Sequence, residues 1–371
     1  HEHPNQRTRP KNKQKSMDID AVNPDFSRFE QVEKPQSDRL AEKQDSEQFD
    51  DEYVIRTCDM GQYFNGGEAG RAQFAQELGD ALRGIGFAIL TGHGIDPDLH
   101  DAARQNVIRL FEQTTPEERE PYLARRRGSV NQGYFPIRET TVIHPDLVEG
   151  WVFCRRAFDL DDDAGYRETD HWPGGDYEQV FRPLVQAQQE LILPVMRSLL
   201  SYLGCDPALY DRKLAATNFA LRLNYYPAMD ESSRASGAGR MLGHEDVDLF
   251  TFLPAPEVEG LQVLNRRNMK WIRLNAPPGS IILNTGDYMQ RISNDIFPST
   301  THRVSPPLDD EIRNTPRVST PMNIYLWEDE ILEVLPNTGE PKYPPVSAIR
   351  FHTAITSKYY GEDYAVEKES R

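Results

Sequence analysis

The feature that most constrains the fold is a series of short, strand-like segments that begins after Thr217. Residues 219–226 alternate between apolar and polar side chains, and Pro227 ends this pattern. Many short strands separated by turn residues are typical of a β-sandwich or a barrel. Further segments of this kind follow at 249–253, 261–264, 271–274, 280–283, 300–304 and 318–326.

The part of the chain that precedes these segments has a different character. Apolar residues recur there at helical spacing, which predicts a mainly helical region. The predicted helices cover 69–82, 96–111 and 177–203, with short strands at 53–55 and 87–90 and a glycine-containing loop at 127–134. A last helix is predicted over 347–360.

Together these patterns predict a mixed α/β protein with a mainly β core. The core, residues 217–371, is expected to be a double-stranded β-helix, or jelly roll, that ends in a helix. The helical region, residues 51–216, is expected to pack around this core as one structural unit. Residues 1–50 are polar and aperiodic, so we expect a disordered leader or a remnant of the expression vector.

Charge and cysteine content narrow the class of protein. The formal net charge of −17 argues against nucleic acid as the main partner. The three cysteines have no CxxC spacing, which argues against a disulfide framework and favours a cytoplasmic location. No apolar run approaches the roughly 18–20 residues that a membrane span needs. We expect a monomer or a weak oligomer without membrane contact.

The chemistry is carried by His244 and Asp246, together with the more distant His302. A histidine and a carboxylate two residues apart on an extended segment point to the same side. A second histidine from a distant strand would complete two imidazoles and one carboxylate on one face of a metal ion. This set leaves three octahedral positions open and is the ligand arrangement of non-haem Fe(II) oxygenases.

Other interpretations of these residues exist. His244 could be a surface histidine beside acidic residues, and His302 a core histidine bonded to the backbone. Alternation directs Glu245 away from the ligands, towards solvent or a salt bridge, whereas Asp248 is a step further along. Iron is favoured over zinc because no thiolate is present and zinc is better served by three histidines or two histidines and a glutamate. Manganese is also chemically compatible.

Beyond His302 lies the segment Arg317-Val318-Ser319. Arginine offers a planar fork of donors that matches a carboxylate, and a serine or tyrosine hydroxyl can complete the remaining acceptor sites. The alternative is a surface salt bridge between Arg317 and one of the acids at 309–311.

These motifs, in this order, resemble the isopenicillin N synthase-like family of Fe(II)/2-oxoglutarate-dependent oxygenases. The resemblance covers roughly residues 53–360 and rests on Asn224-Tyr225-Tyr226-Pro227, His244-Glu245-Asp246, Gly260-Leu261-Gln262-Val263, Asn284-Thr285-Gly286-Asp287, Thr301-His302-Arg303-Val304 and Arg317-Val318-Ser319. The segment between His302 and Arg317 looks longer than is usual for the family. Isopenicillin N synthase shares the Arg-x-Ser pattern without using 2-oxoglutarate, so this pattern alone leaves the co-substrate open.

The resemblance implies specific roles for residues of this chain. Iron would be held by His244, Asp246 and His302. The distal carboxylate of 2-oxoglutarate would be bound by Arg317 and Ser319, with further contacts from Tyr226 and Asn224. Substrate contacts are expected from Tyr134, in a Gln-Gly-Tyr segment similar to one near the pocket of relatives. Phe250 is expected at the pocket wall because strand alternation from His244 places it on the metal-facing side.

The function predicted from the sequence is therefore that of an enzyme. Fe(II), 2-oxoglutarate and O₂ would oxidise an unactivated C–H bond of a small molecule, most often by hydroxylation, with release of succinate and CO₂. Two alternatives remain: an isopenicillin N synthase-type oxidase that does not use 2-oxoglutarate, and a jelly-roll binding module in which the metal is structural.

Overall fold

The computed structural model describes residues 48–127, 130–136, 148–160, 164–228, 241–255, 260–305 and 315–360. The expected leader therefore lies outside the described residues, apart from 48–50. Within the described part of the chain, helices α1–α8 span Gly61–Asn65, Gly67–Ile85, Pro97–Gln113, Pro116–Arg119, Tyr177–Tyr202, Asp211–Leu214, Asp287–Ile292 and Ala348–Tyr360. None of them is long and apolar enough to cross a membrane.

The strands of the same part of the chain are numbered in chain order. Strands β1–β8 span Thr57–Asp59, Phe87–Thr91, Arg125–Arg127, Val130–Phe135, Glu149–Cys154, Asn218–Tyr226, Met241–His244 and Phe250–Pro254. Strands β9–β16 span Leu261–Asn265, Lys270–Arg273, Ile281–Thr285, His302–Val304, Arg317–Ser319, Met322–Tyr325, Ile331–Leu332 and Val346–Ser347.

Two sheets of unequal size form the β core. In the described residues the major sheet has the order β1-β2-β11-β8-β14-β6-β5-β4-β3, and β13 also pairs with β6. The minor sheet has the order β10-β9-β12-β7. Apolar side chains of both sheets meet in one cluster that includes Phe87, Ile89 and Ile282 from the major sheet and Val263 and Val304 from the minor one. This arrangement of facing sheets confirms the predicted jelly roll.

The two faces of the major sheet have different surroundings. We call the face with Ile89 and Ile282, which looks towards the minor sheet, the inner face. The opposite, outer face packs against the helices. Because side chains alternate along a strand and cross-strand partners share a face, the register assigns each residue to one face. The outer face carries Phe219, Leu221, Phe250, Phe252, Met322 and Ile324, which lie in the same buried cluster as the apolar side of α5.

Local sequence signals explain where the helices begin and end. The side chain of Asp96 accepts a hydrogen bond from the backbone of Asp98 at the start of α3, and Pro97 occupies the first turn. Helix α2 ends at Ile85 and is capped by Gly86, whose φ of 74° lies in the left-handed region. That turn leads the chain directly into β2, the second strand of the major sheet.

The structure corrects two sequence expectations in the N-terminal half. The expected strand at 53–55 is irregular, and the first strand is Thr57–Asp59. The expected glycine loop at 127–134 is instead largely strand β4, which pairs with β5. The helical half therefore contributes five strands to the major sheet, among the residues described. Glycine misled the sequence prediction because Gly133, with a φ of 128°, lies inside a strand that remains paired.

Candidate metal centre

The three predicted metal ligands converge where the two sheets approach each other. His244 ends β7 and His302 begins β12, and the two are cross-strand partners. One ligand atom from each histidine and one from Asp246 lie within 4.8 Å of one another. Nε2 of His244 is 3.5 Å from Oδ1 of Asp246, and Nε2 of His302 is 3.7 Å from the same oxygen. Two imidazole nitrogens and one carboxylate oxygen thus surround a common point.

The reason for this convergence differs from the one inferred from the sequence. Strand β7 ends at His244, and Asp246 lies in the segment that carries the chain from the minor sheet to β8 of the major sheet. Alternation along a single strand therefore does not place Asp246. Its position follows from the crossing between sheets, which brings its carboxylate back towards the histidines.

A backbone contact determines which nitrogen of His302 faces the centre. Nδ1 of His302 lies 3.0 Å from the carbonyl oxygen of Thr300. A carbonyl oxygen can only accept, so Nδ1 carries the hydrogen and Nε2 presents its lone pair. Burial lowers the pKa of His302, and the neighbouring His244 lowers it further. His302 is therefore a neutral imidazole near pH 7, the form that binds a metal ion.

Asp246 is oriented by two side chains of the inner face. Its Oδ2 accepts hydrogen bonds from Oγ1 of Thr251 at 2.7 Å and from Nδ2 of Asn284 at 2.8 Å. Oδ1 is thereby directed towards the two imidazoles. Burial raises the pKa of Asp246, but His302, His244 and the Asn284 amide outweigh it and hold that pKa below its usual range. The group is an ionised carboxylate with one oxygen presented to the centre.

Asp248 lies behind this carboxylate, fully buried. Oγ1 of Thr251 is within hydrogen-bonding distance of Oδ2 of both acids, 2.7 Å from Asp246 and 2.6 Å from Asp248. A hydroxyl has a single proton, so it donates to one carboxyl and must accept from the other. Burial and the nearby charge of Asp246 raise the pKa of Asp248 well above its usual value. Asp248 is accordingly the protonated partner, and its proton points towards Thr251.

Glu245 takes no part in the centre. Its Oε1 forms a salt bridge with Nη2 of Arg266 and accepts a hydrogen bond from Oγ1 of Thr301 at 3.0 Å. The sequence-based expectation that Glu245 is salt-bridged and points away from the ligands agrees with this placement.

A second polar cluster lies on the inner face of β6 and β13. Arg317 pairs with Tyr226 and Ser319 pairs with Asn224, so the four side chains share one face. The guanidinium carbon of Arg317 is 5.0 Å from the centre of the Tyr226 ring, and Nδ2 of Asn224 donates to Oγ of Ser319 at 3.1 Å. Burial lowers the pKa of Arg317, and the Tyr226 hydroxyl acts in the opposite direction. A buried guanidinium flanked by hydroxyls suits a carboxylate.

The structure does not bring Tyr134 to these groups. Tyr134 pairs with Trp151, and Trp151 pairs with Leu223, so all three occupy the outer face. The Tyr134 hydroxyl contacts Glu149 and lies 3.4 Å from Nη1 of Arg119. Burial raises the pKa of Tyr134 to about 12. Its contacts are those of a core residue that packs against helix α3.

Phe250 is also absent from the centre, for a different reason. The expectation assumed an unbroken strand from His244, but β8 begins at Phe250 in the other sheet. Phe250 is fully buried on the outer face, and its ring centre lies 5.5 Å from that of Phe252. The neighbouring Thr251 takes the inner face instead.

Several supporting residues were missed from the sequence. Thr251 and Asn323 each interrupt a largely apolar strand with one polar residue, and Asn284 follows three apolar residues in a motif whose role was not assigned. Nδ2 of Asn323 lies 2.9 Å from Oδ2 of Asp248 and 3.1 Å from Oγ1 of Thr251. A lone polar residue within a buried strand needs a hydrogen-bond partner, which here is the network around Asp246.

Comparisons with known proteins agree with this chemistry. A model described as the 2OG-Fe(II) oxygenase superfamily matches residues 217–322. A second, described as non-haem dioxygenase in morphine synthesis N-terminal, matches residues 55–175. The two matches fall on the β core with its ligand set and on the region that precedes it.

Individual proteins are similar over most of the chain. The 2-oxoglutarate-Fe(II) type oxidoreductase hxnY of Emericella nidulans is 26% identical over 333 residues, which is 84% of this chain and 92% of that protein. Isopenicillin N synthase of Streptomyces griseus is 26% identical over 316 residues, 79% of this chain and 91% of the synthase. A full-length Neurospora crassa protein crystallised with alpha-KG and thymine has a TM-score of 0.73 at 22% identity, and covers 84% of this chain and 98% of its own.

Proposed function

Because the chain belongs to the 2OG-Fe(II) oxygenase superfamily, we propose that it oxidises an unactivated C–H bond of a small molecule. The enzyme is a non-haem dioxygenase that requires Fe(II), 2-oxoglutarate and O₂. The proposed reaction incorporates one oxygen atom into the substrate as a hydroxyl group. The other oxygen atom enters succinate as 2-oxoglutarate loses CO₂.

The observation that carries this proposal is the arrangement of donors around one point. Nδ1 of His302 is committed to Thr300, and Oδ2 of Asp246 is committed to Thr251 and Asn284. The other ligating atoms of these two residues, Nε2 of His302 and Oδ1 of Asp246, are therefore directed towards each other. A set of two imidazoles and one carboxylate fits Fe(II) and would leave coordination positions for co-substrate and oxygen. When bound, the iron supplies the oxidising power for cleavage of the C–H bond.

The protein's own residues would then bind and orient the reactants. We assign His244, Asp246 and His302 to the iron. The planar fork of Arg317 would bind the distal carboxylate of 2-oxoglutarate, with the hydroxyls of Ser319 and Tyr226 as further donors. Asn224 would orient Ser319 through its amide, whose Nδ2 lies 3.1 Å from the serine oxygen. A co-substrate held at both ends loses the freedom to react unproductively.

The substrate is proposed to be a small molecule. The inner face between the two sheets is the only surface that the described ligands and the carboxylate cluster share. Side chains of two packed sheets line this face, and sites of this kind bind small molecules. The Neurospora crassa neighbour, crystallised with thymine, is consistent with a ligand of this size.

The test is a paired measurement of oxygen uptake and succinate formation with anaerobically loaded Fe(II) enzyme. The wild type should form succinate from 2-oxoglutarate and consume a matching amount of oxygen. His302→Ala and Asp246→Ala should abolish both while the far-ultraviolet circular dichroism spectrum is retained. Glu245→Ala is the matched control, because this acid is engaged with Arg266 and should leave most of the activity.

Three outcomes would contradict the proposal. Oxygen uptake without succinate would indicate an oxidase of the isopenicillin N synthase type. Binding of small molecules with no oxygen uptake would indicate a binding module. Full activity of His302→Ala would remove that residue from the iron site.

A further inference from the structure

One arginine of the inner face has no role in the site described so far. Arg222 lies on β6 two residues before Asn224, so both side chains are on the inner face. Two residues in the other direction, Ala220 pairs with Asn323, which belongs to the network behind Asp246. Side chains on one face of a strand are roughly 7 Å apart for each pair of residues. Arg222 therefore lies between Asn323, which supports the metal centre, and the polar cluster around Arg317.

Within the part of the chain that the structure describes, the contacts of Arg222 are with neutral groups. Its Nε donates to Oδ1 of Asn224 at 2.7 Å, and its guanidinium carbon is 5.6 Å from the centre of the Phe135 ring. The fork lies over Gly150: a Cβ built on that glycine would be 3.4 Å from Nη2. Gly150 pairs with Asn224 on one side and with Phe135 on the other. Asn224, Gly150 and Phe135 are thus neighbours on three adjacent strands, and the guanidinium packs against all three.

Two other arginines that are at least half-buried have an acidic partner. Arg119 pairs with Glu149 at 2.6 Å and Arg182 with Glu178 at 2.9 Å. Arg222, in contrast, forms no ion pair with a carboxylate of the described residues. The chain carries 59 acidic residues, so an acid is not lacking in the composition. A half-buried charge without a counter-ion is costly, and this cost is recovered when an anionic ligand binds.

We propose that Arg222 binds a carboxylate of the substrate and thereby selects small organic acids. This inference rests on the proposed function and specifies its substrate class. Nε is already engaged by Asn224, so the two terminal nitrogens are the donors for the acid. Phe135 is half-buried beside the guanidinium and offers an apolar contact for the carbon skeleton. The preferred substrate is therefore an acid with an apolar or aromatic body.

This site is distinct from the one that holds 2-oxoglutarate. Arg317 is the arginine of the co-substrate cluster, on β13 and opposite Tyr226. Among the described residues, Arg222 is linked to that cluster through Asn224. Arg317 would bind 2-oxoglutarate, the acid consumed as co-substrate, and Arg222 would bind the acid that is hydroxylated.

The experiment measures binding by fluorine NMR under anaerobic conditions, with the Fe(II) enzyme saturated with 2-oxoglutarate. The probes are fluorobenzoate and fluorophenylacetate, each compared with its primary amide, which has the same shape without the charge. The wild type should bind at least one acid about tenfold more tightly than its amide, a difference of about 1.4 kcal/mol. Arg222→Gln should abolish the preference, and Arg222→Lys should retain part of it.

A matched control is provided by Arg273. Its guanidinium carbon also lies over a phenylalanine ring, 3.6 Å from the centre of Phe49, but it pairs with Asp51 at the surface. Arg273→Gln should leave the preference for the acid unchanged.

Two results would overturn the proposal. The first is equal binding of every acid and its amide by the wild type. The second is an acid preference that survives in Arg222→Gln while its affinity for 2-oxoglutarate falls, because Arg222 would then serve only to orient Asn224. The preference is also measured without 2-oxoglutarate, so it holds or fails independently of whether the enzyme forms succinate.

Discussion

His244 and His302 are cross-strand partners in the minor sheet, and the centres of their rings lie 4.3 Å apart. The pairing of β7 with β12 therefore sets the spacing of the two imidazoles. The third ligand depends on the other sheet, because Thr251 and Asn284 of the major sheet hold Asp246. The metal centre consequently requires both sheets in their native positions, and its supports can be tested separately from its ligands.

The first prediction concerns Asn284. Replacing it with alanine removes the 2.8 Å hydrogen bond to Oδ2 of Asp246 but leaves all three ligands in place. Groups that orient a metal ligand in this way are worth roughly 10–100-fold in metal affinity. We expect a loss of that size in Fe(II) affinity, measured by anaerobic titration. Asn268→Ala is the control, because its amide bonds Asp50 at an exposed position; an equal loss in both variants would contradict the prediction.

The second prediction concerns the co-substrate. Arg317→Lys keeps a positive charge but loses the planar two-point contact with a carboxylate. We expect the affinity for 2-oxoglutarate to fall by about 1–3 kcal/mol, the range for hydrogen bonds to charged groups. Fe(II) affinity should stay unchanged, because Arg317 is not a ligand. An unaltered 2-oxoglutarate titration would exclude Arg317 from the co-substrate site.

The third prediction concerns pH. Burial lowers the pKa of His302 below the ordinary value of about 6.5. In the interval between the lowered pKa and about 6.5, the unfolded chain binds more protons than the folded one, so the free energy of unfolding rises with pH. The contribution of neutral, buried His302 to the free energy of unfolding is thus fully present above this pH interval and is lost as pH falls through it.

His302→Asn should weaken this dependence, because the asparagine amide can still donate to Thr300 but does not titrate. The measurement is urea unfolding of the metal-free wild type and variant from about pH 7.5 to about pH 5. The raised pKa of Asp248 acts with the opposite sign, and the comparison isolates His302 because Asp248 is present in both proteins. Identical slopes would contradict the prediction.

The sequence was sufficient for the fold class and for naming three residues that the structure brings together, because both depend on local signals. Alternation and turn residues mark the strands of the β core, and His244, Asp246 and His302 are recognisable by residue type and order. The roles of these residues, and the division of the chain at residues 216 and 217, stay predictions.

The sequence was insufficient wherever the answer depended on how distant segments pair. The placement of Phe250 required the knowledge that the chain leaves one sheet after His244 and enters the other. The face of Tyr134 required its register against Trp151 and Leu223. A shift of one residue in a strand exchanges the two faces, and no local pattern in a loop-like, glycine-containing segment specifies that register.

The fourth prediction follows from the outer-face position of Tyr134. Tyr134→Phe removes a buried hydroxyl that hydrogen-bonds Glu149. We expect a loss of about 1–3 kcal/mol in the free energy of unfolding, with the affinities for Fe(II) and 2-oxoglutarate unchanged. Tyr202→Phe should cost less, because its partner Asp80 is partly exposed to solvent. A change in ligand affinity without a change in stability would return Tyr134 to the site.

The last prediction concerns the protonated acid behind the centre. Asp248 is buried, and its pKa is raised by burial and by Asp246. At neutral pH its side chain is therefore an uncharged carboxylic acid, which an amide resembles more closely than a carboxylate does. Asp248→Asn should therefore change the free energy of unfolding at pH 7 by less than about 1 kcal/mol.

Asp248→Ala removes the acceptor that Nδ2 of Asn323 contacts at 2.9 Å and the partner of the Thr251 hydroxyl. Buried groups left without partners cost about 1–3 kcal/mol each, so this variant should be clearly destabilised. Thr251 would also lose the group that directs its proton to Asp246, and Fe(II) affinity should fall with stability. Urea unfolding at pH 7 and anaerobic Fe(II) titration of both variants provide the comparison. If asparagine proves as damaging as alanine, Asp248 is ionised in the folded protein, and the proton between the two carboxyl groups must come from elsewhere.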